Sequence, residues 1–561
     1  MVLRNLITLL SFLLIPFLLC AQSVEDIFGE RDEIYFSFDI QDKETMNNIS
    51  RFISIDRVSD EMLAYAYANK KGFADFMDQG IVYSVLQHPG TLHRPKMLGN
   101  IDVRNIQSWD FYPTYSGYVD MMYQFEALFP DICDVFSIGT TNNGMELLVA
   151  RISDNVGQEE GEPEFFYTSS MHGDETTGYP LMLRLIDHLL NGYGNNDRLT
   201  HMVDEIDIYI NPLANPDGSF YANNDSIYGA IRFNAMWVDL NRNFPDPEDG
   251  PHPDGNPWQT ETIHFMNFAE EHNFVNSANL HGGTEVCNYP WDTWPHLSAD
   301  DDWWVYVCRE YADTVHVHAP WHYMNQYNNG ITNGYQWYTI AGGRQDYMNY
   351  FHQCREFTLE ISDVKLLPEN ELPAHWDYNY RSLLNYLEQS LFGIRGKITD
   401  SSTGNALKAE VYVLDHELDS SWVYSDLPAG NYHRLLDQGI YDIQYSKNGY
   451  YTQTFTSVGV TNRMPTVIDV ELVNTVASIE EKEESTFTIY PNPVTSNFAK
   501  VKSTVKLTAL SIYDLNGRMI SRQEGEGLNI NFLDVSTLRP GTYILRIDHE
   551  TGFSQKKFVK K

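Results

Sequence analysis

Four side chains in the middle of the chain have the types and spacing needed to bind a metal ion and to use it in catalysis. His172 and Glu175 are three residues apart after a strand-like segment, so an imidazole nitrogen and a carboxylate oxygen can converge on one ion. His281 ends a second such segment and offers a third ligand, and Glu360 ends a third and could act as general base. An isolated His-x-x-Glu is also typical of a helix start beside a surface histidine, so the interpretation depends on the surrounding elements.

The region that carries these residues, from about 106 to 391, alternates strand-like and helix-like segments. The run Glu164–Ser169 precedes a helical pattern over Tyr179–Leu190, and a further strand-like run covers Ile206–Ile210. Such alternation is typical of an α/β domain with a largely buried sheet. His281 is followed by two glycines, which let the backbone turn away at a strand end, where sites in open α/β sheets lie.

Residues 23–105 precede this region and are predicted to form a small α+β module. Alternating residues predict strands over Glu33–Ile40 and Ile81–Leu86, and Met62–Met77 has the pattern of a helix. The stretch His88–Asn100 contains Pro and Gly and is typical of a linker. A position directly ahead of an enzyme-like region fits a pro-domain and an ordinary accessory domain equally well.

The helical signal ends after residue 391. Residues 392–474 contain short strand-like runs separated by Gly and Asn turns, which predict a small all-β sandwich. A charged, Ser-containing linker at 475–486 leads to a second all-β sandwich domain at 487–561.

Composition limits the function classes. The chain has 561 residues, 42% of them hydrophobic, so it is too long for one core and too apolar for a disordered protein. The formal net charge of -39 repels phosphate backbones and anionic lipid surfaces, so no nucleic-acid partner is expected and cationic peptides are attracted. After the N-terminus no segment approaches about 18 uninterrupted apolar residues, so no transmembrane segment is predicted.

The N-terminus has the pattern of a secretory signal peptide over residues 1–22. A short basic start is followed by an apolar run from Leu6 to Cys20 and a small-residue end. The mature protein is therefore expected outside the cytoplasm. Four further cysteines could form disulfides there or remain buried thiols: Cys133, Cys287, Cys308 and Cys354.

Taken together, residues 110–390 resemble the zinc metallocarboxypeptidase family, in particular its regulatory carboxypeptidases of the D, E, M and N type. The resemblance implies a mixed, eight-stranded sheet flanked by helices. The signatures H-E-x-x-H and G-x-S-x-G of other hydrolases are absent from the sequence. The motifs that carry the resemblance follow in the family's order: Ser170–Glu175, Asn215–Gly218, Val238–Asp246, Ala278–Gly283, Gly330–Gly334, Trp337–Tyr338 with Gly342–Asp346, and Phe357–Glu360.

The resemblance implies one zinc ion held by His172, Glu175 and His281, with an open position for water. Glu360 matches the family's general base, and Arg232 matches the arginine that stabilises the oxyanion. No covalent intermediate is required. The implied reaction is hydrolysis of the C-terminal peptide bond of peptides or proteins.

The resemblance also implies the substrate site. Asn241 and Arg242 match the pair that grips the terminal carboxylate, a task for which a planar guanidinium is suited. Tyr338 matches the mobile tyrosine that closes over the substrate. Asp292 and Gln345 fall where basic-specific members place polar residues, so a preference for C-terminal Lys or Arg is expected.

The two trailing β domains resemble modules found in other proteins. Residues 392–474 resemble the transthyretin-like domain that follows the catalytic domain in this subfamily. Residues 487–561 resemble the C-terminal sorting domain of type IX secretion, so that machinery is an expected partner. The expected location is the cell surface or the medium, reached through the periplasm.

Two other functions stay open on the sequence alone. One is a zinc amidase for non-peptide or cell-wall substrates, against which the carboxylate-binding residues Asn241, Arg242 and Tyr338 argue. The other is a non-catalytic surface binding protein, which would have no need of a base such as Glu360 beside a metal.

Overall fold

A computed structural model describes residues 24–59, 61–158, 160–475, 487–515, 517–525, 528–549 and 552–561. The predicted signal peptide and all but one residue of the predicted linker lie outside these ranges. Within them, no helix combines the length and the apolar character needed to cross a bilayer.

The N-terminal module is a four-stranded antiparallel sheet covered by helices. Phe36 and Phe38 on a central strand pack their rings against Phe76, and Phe36 also contacts Phe73. These aromatic contacts give the module a core of its own. In spatial order its strands are Ser54–Val58, Leu63–Asn69, Glu33–Asp39 and Tyr83–Val85, and its helices are Val24–Glu30, Lys43–Ile49 and Lys70–Met77.

The prediction of one helix over Met62–Met77 is wrong in its first half. Leu63–Asn69 is a strand whose alternating alanines face the module's core. The helix begins at Lys70, where the Asn69 side chain accepts a hydrogen bond from the Gly72 amide. The two-residue alternation of alanine with bulkier residues, which suits a half-buried strand, outweighs the helix propensity of alanine.

Residues 106–391, called the catalytic region below because the predicted site lies in them, contain the mixed eight-stranded sheet that the resemblance implies. The four central strands, from Arg355–Ser362 across to Asp207–Asn211, run parallel to one another. On one side of them Thr284–Tyr289 is antiparallel to Arg355–Ser362. On the other side Glu146–Ile152 is antiparallel to Asp207–Asn211, and Cys133–Thr140 is antiparallel to Glu146–Ile152. In spatial order the strands are Ile331–Asn333, Thr284–Tyr289, Arg355–Ser362, Phe274–His281, Glu164–Ser169, Asp207–Asn211, Glu146–Ile152 and Cys133–Thr140.

Both faces of this sheet are covered. Along Glu164–Ser169, Phe165 and Tyr167 belong to one apolar cluster and Phe166 to another, so successive side chains point into two different cores. The α-helices of the region are Tyr115–Leu128, Gly178–Gly192, Asp197–Glu205, Pro216–Ser219, Thr260–Glu271, Asp301–His318, Gln326–Gly330, Gly334–Trp337, Arg344–His352 and Leu372–Glu388. Short elements complete it: 3-10 turns at Pro89–Thr91, Val103–Asn105, Leu240–Arg242, Glu369–Glu371 and Gln389–Leu391, and the strand pair Met97–Leu98 and Tyr112–Pro113.

Two all-β units follow, as predicted. The first has one sheet of Asn431–Arg434, Gly393–Asp400, Pro465–Val467 and Val470–Leu472, and another of Val423–Tyr424, Glu410–Val413, Gly439–Ser446 and Gln453–Val460. The second has one sheet of Phe487–Tyr490, Phe498–Ser503 and Ile530–Asp534, and another of Met519–Glu524, Leu507–Tyr513, Gly541–His549 and Gly552–Lys560. Each unit encloses its own apolar cluster.

A buried carboxylate joins the catalytic region to the first β unit. Asp300 lies 2.7 Å from Arg355 in the same region, and 2.8 Å from Arg434 and 2.9 Å from His416 in the β unit. Burial alone would raise the pKa of Asp300, but the charges of Arg434 and Arg355 hold it well below its usual value.

The four cysteines that the sequence analysis left open are thiols and not disulfides. Cys133, Cys287, Cys308 and Cys354 are all free and buried. Burial raises the pKa of Cys133 to about 12, so this thiol stays protonated at neutral pH.

Candidate active site

Three neighbouring strands deliver the predicted metal ligands and base to one edge of the sheet. His281 is the last residue of Phe274–His281, and it pairs in register with Glu360 on the adjacent parallel strand. His172 follows the strand Glu164–Ser169 on the other side of His281. Because the carboxyl ends of parallel strands meet at one edge, residues distant in sequence converge there.

A tight loop places His172 beside Glu175. Ser170 has a φ of 58°, in the left-handed region, and its hydroxyl donates a hydrogen bond to the Glu175 carbonyl at 3.0 Å. Between them, a side chain at Gly173 would bring its Cβ within 2.3 Å of the backbone at Gly218, so only glycine fits. The loop therefore depends on residues of the Ser170–Glu175 motif that do not themselves bind the metal.

The geometry of the three predicted ligand residues fits zinc. Nδ1 of His172 lies 2.9 Å from Oε1 of Glu175, Nδ1 of His281 lies 2.8 Å from Oε2 of Glu175, and the two imidazole nitrogens are 3.1 Å apart. Ligands about 2.0–2.1 Å from a tetrahedral zinc would be about 3.3 Å from one another. Two histidines and one carboxylate are also the donor set of known catalytic zinc sites.

The other nitrogen of each imidazole is held by a neighbour. Nε2 of His172 lies 3.0 Å from Oδ1 of Asp239, and Nε2 of His281 lies 2.7 Å from the Asn279 side-chain amide. Such contacts fix the ring orientation of metal-binding histidines.

Arg232 is buried beside the ligands. Its Nη1 donates to Oε1 of Glu175 at 3.2 Å and its Nε donates to Oδ2 of Asp239 at 3.0 Å. Burial alone would lower the pKa of Arg232, but Asp239 and Glu175 raise it well above its usual value, so the guanidinium is a fixed positive charge.

Glu360 is partly buried, and its Oε2 makes no hydrogen bond within the described residues. Burial first, and then the negative charge of Glu175, raises the pKa of Glu360 well above the usual value for a glutamate. A bound dication would act in the opposite direction. A carboxylate in this setting can accept a proton and release it again.

The predicted carboxylate-binding residues line the same cavity as Glu360, Arg232 and the metal ligands. Nη1 of Arg242 donates to the Asn241 carbonyl at 2.9 Å, whereas its buried Nε and Nη2 have no hydrogen-bond partner in the described chain. Tyr338 is 6% exposed. A buried guanidinium with two unpartnered nitrogens is unusual, and it is suited to an incoming carboxylate.

Asp292 and Gln345 do not line this cavity and lie one layer behind it. Asp292 accepts a hydrogen bond at 3.1 Å from Asn288, and Gln345 accepts one at 2.7 Å from the Thr358 amide. Asn288 and Thr358 both line the cavity. Burial raises the pKa of Asp292 to about 7.

The sequence analysis did not identify two buried residues at the site, Lys365 and Asp56. Nζ of Lys365 lies 2.5 Å from Oε1 of Glu175 and 2.7 Å from the Gly282 carbonyl. The same nitrogen lies 2.5 Å from Oδ1 of Asp56, which comes from the N-terminal module. No sequence motif marks Lys365 or Asp56. Asp239 was also not identified, although it lies in the Val238–Asp246 motif and could have been found there.

Comparisons with known proteins assign families to two parts of the chain. The zinc carboxypeptidase family matches residues 118–382, and the secretion system C-terminal sorting domain matches residues 488–561. The chain is 34% identical over 406 residues to the carboxypeptidase N catalytic chain of Homo sapiens, covering 65% of this chain and 86% of that one. It is 34% identical over 442 residues to carboxypeptidase D of Mus musculus, covering 73% of this chain and 31% of that one.

The fold has a solved counterpart. The carboxypeptidase A structure from Helicoverpa armigera superposes with a TM-score of 0.50 at 17% identity, covering 64% of this chain and 97% of that one. The chain belongs to the zinc carboxypeptidase family. Its C-terminal segment is a sorting domain of type IX secretion, which indicates export to the cell surface or the medium. The chain spans 31% of the length of the carboxypeptidase D relative.

Proposed function

We propose that this protein is a secreted zinc carboxypeptidase that removes the C-terminal residue of peptides or proteins and prefers Lys or Arg. The observation that carries the proposal is Arg242, which has two unpartnered nitrogens and lines one cavity with Glu360 and the three candidate ligand residues. A free terminal carboxylate bound there would place the last peptide bond beside the base.

In this proposal one zinc ion is held by His172, Glu175 and His281. When bound, zinc supplies Lewis acidity toward water and the scissile carbonyl. Glu360 removes a proton from the attacking water and delivers it to the leaving amine nitrogen. Arg232 donates hydrogen bonds to the oxygen that becomes negative as the carbonyl carbon turns tetrahedral, and its pairing with Asp239 keeps it in position.

Recognition of the chain end falls to Arg242 and Asn241, and Tyr338 covers the bound terminus. Arg242 can donate two parallel hydrogen bonds to a carboxylate, which an amide or an internal peptide bond cannot accept in the same way. The site therefore favours exopeptidase over endopeptidase activity.

Zinc removal is expected to stop terminal trimming. Mass spectrometry of matched peptides ending in Lys, Arg, Phe and Leu should show loss of terminal Lys or Arg that a zinc chelator abolishes, and elemental analysis should find one zinc per chain. His281→Ala should lose the metal, whereas the exposed control His201→Ala should keep it. Trimming that persists in metal-free protein would contradict the proposal. Because Ile55 and Asp56 of the N-terminal module line the cavity, the assay uses both intact protein and protein cut at the exposed Leu92, between the module and the catalytic region.

The preference for basic residues is expected to depend on Asp292. Asp292→Asn should lower kcat/KM for a terminal Arg peptide relative to a Leu peptide by about 10- to 100-fold, because a negative charge just behind the cavity, which would attract a cationic side chain, is lost. Since the pKa of Asp292 is raised to about 7, the basic preference should also strengthen between pH 6 and pH 8 as the carboxylate ionises. The exposed control Asp302→Asn should change neither. An unchanged ratio in Asp292→Asn would assign the preference elsewhere.

Export is proposed to proceed through the periplasm by the type IX machinery, with the sorting domain as the recognised element. A released enzyme and a surface-attached enzyme differ in whether activity is found in the medium or in washed cells. The acidic chain, with a formal charge of -39, would attract cationic peptide termini in either place.

A further inference from the structure

We infer that the C-terminal sorting domain is a docked subunit of the enzyme, which stays bound to the catalytic region when the linker ahead of it is cut. The inference concerns where the enzyme is held and goes beyond the reaction proposed for it. The domain, residues 487–561, follows the predicted linker at 475–486. A cut in that linker therefore leaves only non-covalent contacts between the domain and the rest of the chain.

One sheet of the sorting domain is buried on both faces. Within its strand Phe498–Ser503, Ala499 and Val501 belong to the domain's own apolar cluster. Lys500 lies between them and points the other way, yet its side chain is only 6% exposed. It pairs in register with Phe532 on the next strand, which is 2% exposed and belongs to an apolar cluster of the catalytic region. The catalytic region therefore covers the outer face of this sheet.

Phe532 is the apolar anchor of the contact. Its ring centroid lies 5.2 Å from that of Phe351 and 5.7 Å from that of Trp258, both in edge-on geometry. On the same face of the sheet, the ring of Phe498 covers Gly250, where a Cβ atom would come within 2.5 Å of it. Aromatic side chains in well-packed, desolvated pockets carry a large part of the binding free energy of protein interfaces.

A buried ion pair joins the same two surfaces. Nζ of Lys500 lies 2.8 Å from Oε2 of Glu270, near the end of the helix Thr260–Glu271. Nζ of the half-exposed Lys502 lies 2.8 Å from the other oxygen of Glu270. Burial alone would raise the pKa of Glu270, but neighbouring positive charges, led by that of Lys500, hold it well below its usual value. Replacing one partner in the docked state would leave an uncompensated buried charge, so docking depends on both.

Hydrogen bonds extend the contact beyond this centre. The Asn497 side-chain amide donates to Oε1 of Glu248 at 3.2 Å, and the Gln353 side-chain amide donates to the Tyr490 hydroxyl. Tyr490 pairs in register with Lys500, so all three strands of the sheet take part. A buried aromatic centre with polar contacts around it is typical of stable protein interfaces.

Docking of this kind decides where the enzyme goes after a cut. Whatever holds the folded sorting domain, including the type IX machinery that recognises it, would hold the enzyme as well. A linker cut would then nick the enzyme without releasing it into the medium.

The test uses the full-length, zinc-loaded protein with a specific protease site inserted in the 475–486 linker. After complete cleavage, size-exclusion chromatography of a dilution series gives the concentration at which the two fragments separate. We expect the fragments of the cut parent to elute together at about 1 µM, with the mass of the uncut protein. Glu270→Lys places a third positive charge beside Lys500 and Lys502, and it should raise the separation concentration at least about 100-fold.

Phe532→Ala should raise the separation concentration by a similar factor, because the aromatic anchor is lost. Its matched control is Phe553→Ala, which removes a 55% exposed phenylalanine from the other sheet of the sorting domain and should change nothing. The double variant Glu270→Lys with Lys500→Glu should recover at least about tenfold of the affinity lost in Glu270→Lys. A general loss of structure would not show this recovery.

Separation of the cut parent at about 1 µM overturns the inference, and this result needs no variant. An unchanged separation concentration in Glu270→Lys or in Phe532→Ala overturns it too, because the fragments would then be held by a different surface. Circular dichroism checks that each variant is folded. The charge reversal lies on the catalytic region and the phenylalanine on the sorting domain, so either one decides if the other does not fold.

Discussion

Glu360→Gln is expected to lower turnover of a C-terminal Arg peptide by about three orders of magnitude, with zinc content and peptide affinity unchanged. The amide has nearly the shape of the carboxylate but cannot accept a proton from water at neutral pH. The Oε2 atom makes no hydrogen bond within the described residues, so the change leaves no partner unsatisfied and should not destabilise the fold.

The measurement is kcat by a peptide-release assay, with zinc determined on the same sample. The exposed Glu371→Gln is the matched control and should keep full activity. Residual activity above one tenth of the parent in zinc-loaded Glu360→Gln would mean that another group acts as the base.

Arg242→Met is expected to reduce kcat/KM for a peptide with a free C-terminus by about 100- to 10,000-fold. Two charge-assisted hydrogen bonds of about 1.5–3 kcal/mol each would be lost from the terminal carboxylate. Arg242→Lys should recover only part of this, because lysine keeps the charge without the paired donors. The unfolding midpoint should hardly move, since Nε and Nη2 have no partner in the described chain.

The matching substrate is the same peptide with a C-terminal amide. The parent should cleave it poorly, and Arg242→Met should cleave the acid and the amide at similar low rates. An enzyme that cleaves the amide well, and that is indifferent to Arg242→Met, would be an amidase instead. This comparison therefore separates the proposed function from the alternative that the sequence leaves open.

The candidate ligands and base could be proposed from the sequence because each ends, or closely follows, a strand-like segment and belongs to a motif with a known order. Their convergence follows from strand order, and the pairing of His281 with Glu360 is set by the register of parallel strands, which local patterns do not specify. Predicting the mixed sheet needed the family resemblance, since alternation of strands and helices indicates only an α/β domain.

The features that the sequence analysis predicted wrongly or did not predict have physical explanations. Leu63–Asn69 was mistaken for helix because alanine favours helices, although its alternation suits a strand packed on one face. Lys365 and Asp56 could not be found because a buried ion pair across hundreds of residues leaves no periodic or spacing signal. The N-terminal module's position over the site is likewise a property of tertiary packing alone.

Asp300 has a consequence for how the protein unfolds. Its carboxylate is shared between Arg355 of the catalytic region and Arg434 and His416 of the first β unit, and all but His416 are almost fully buried. Separating the two units would remove Arg434 and His416 from Asp300 and would take one of its two carboxylate partners from the buried Arg434 guanidinium. They should therefore melt as one cooperative block, and a chain shortened at residue 391 would keep Arg355 beside Asp300 but would lose the Arg434 and His416 contacts and expose the pair to solvent.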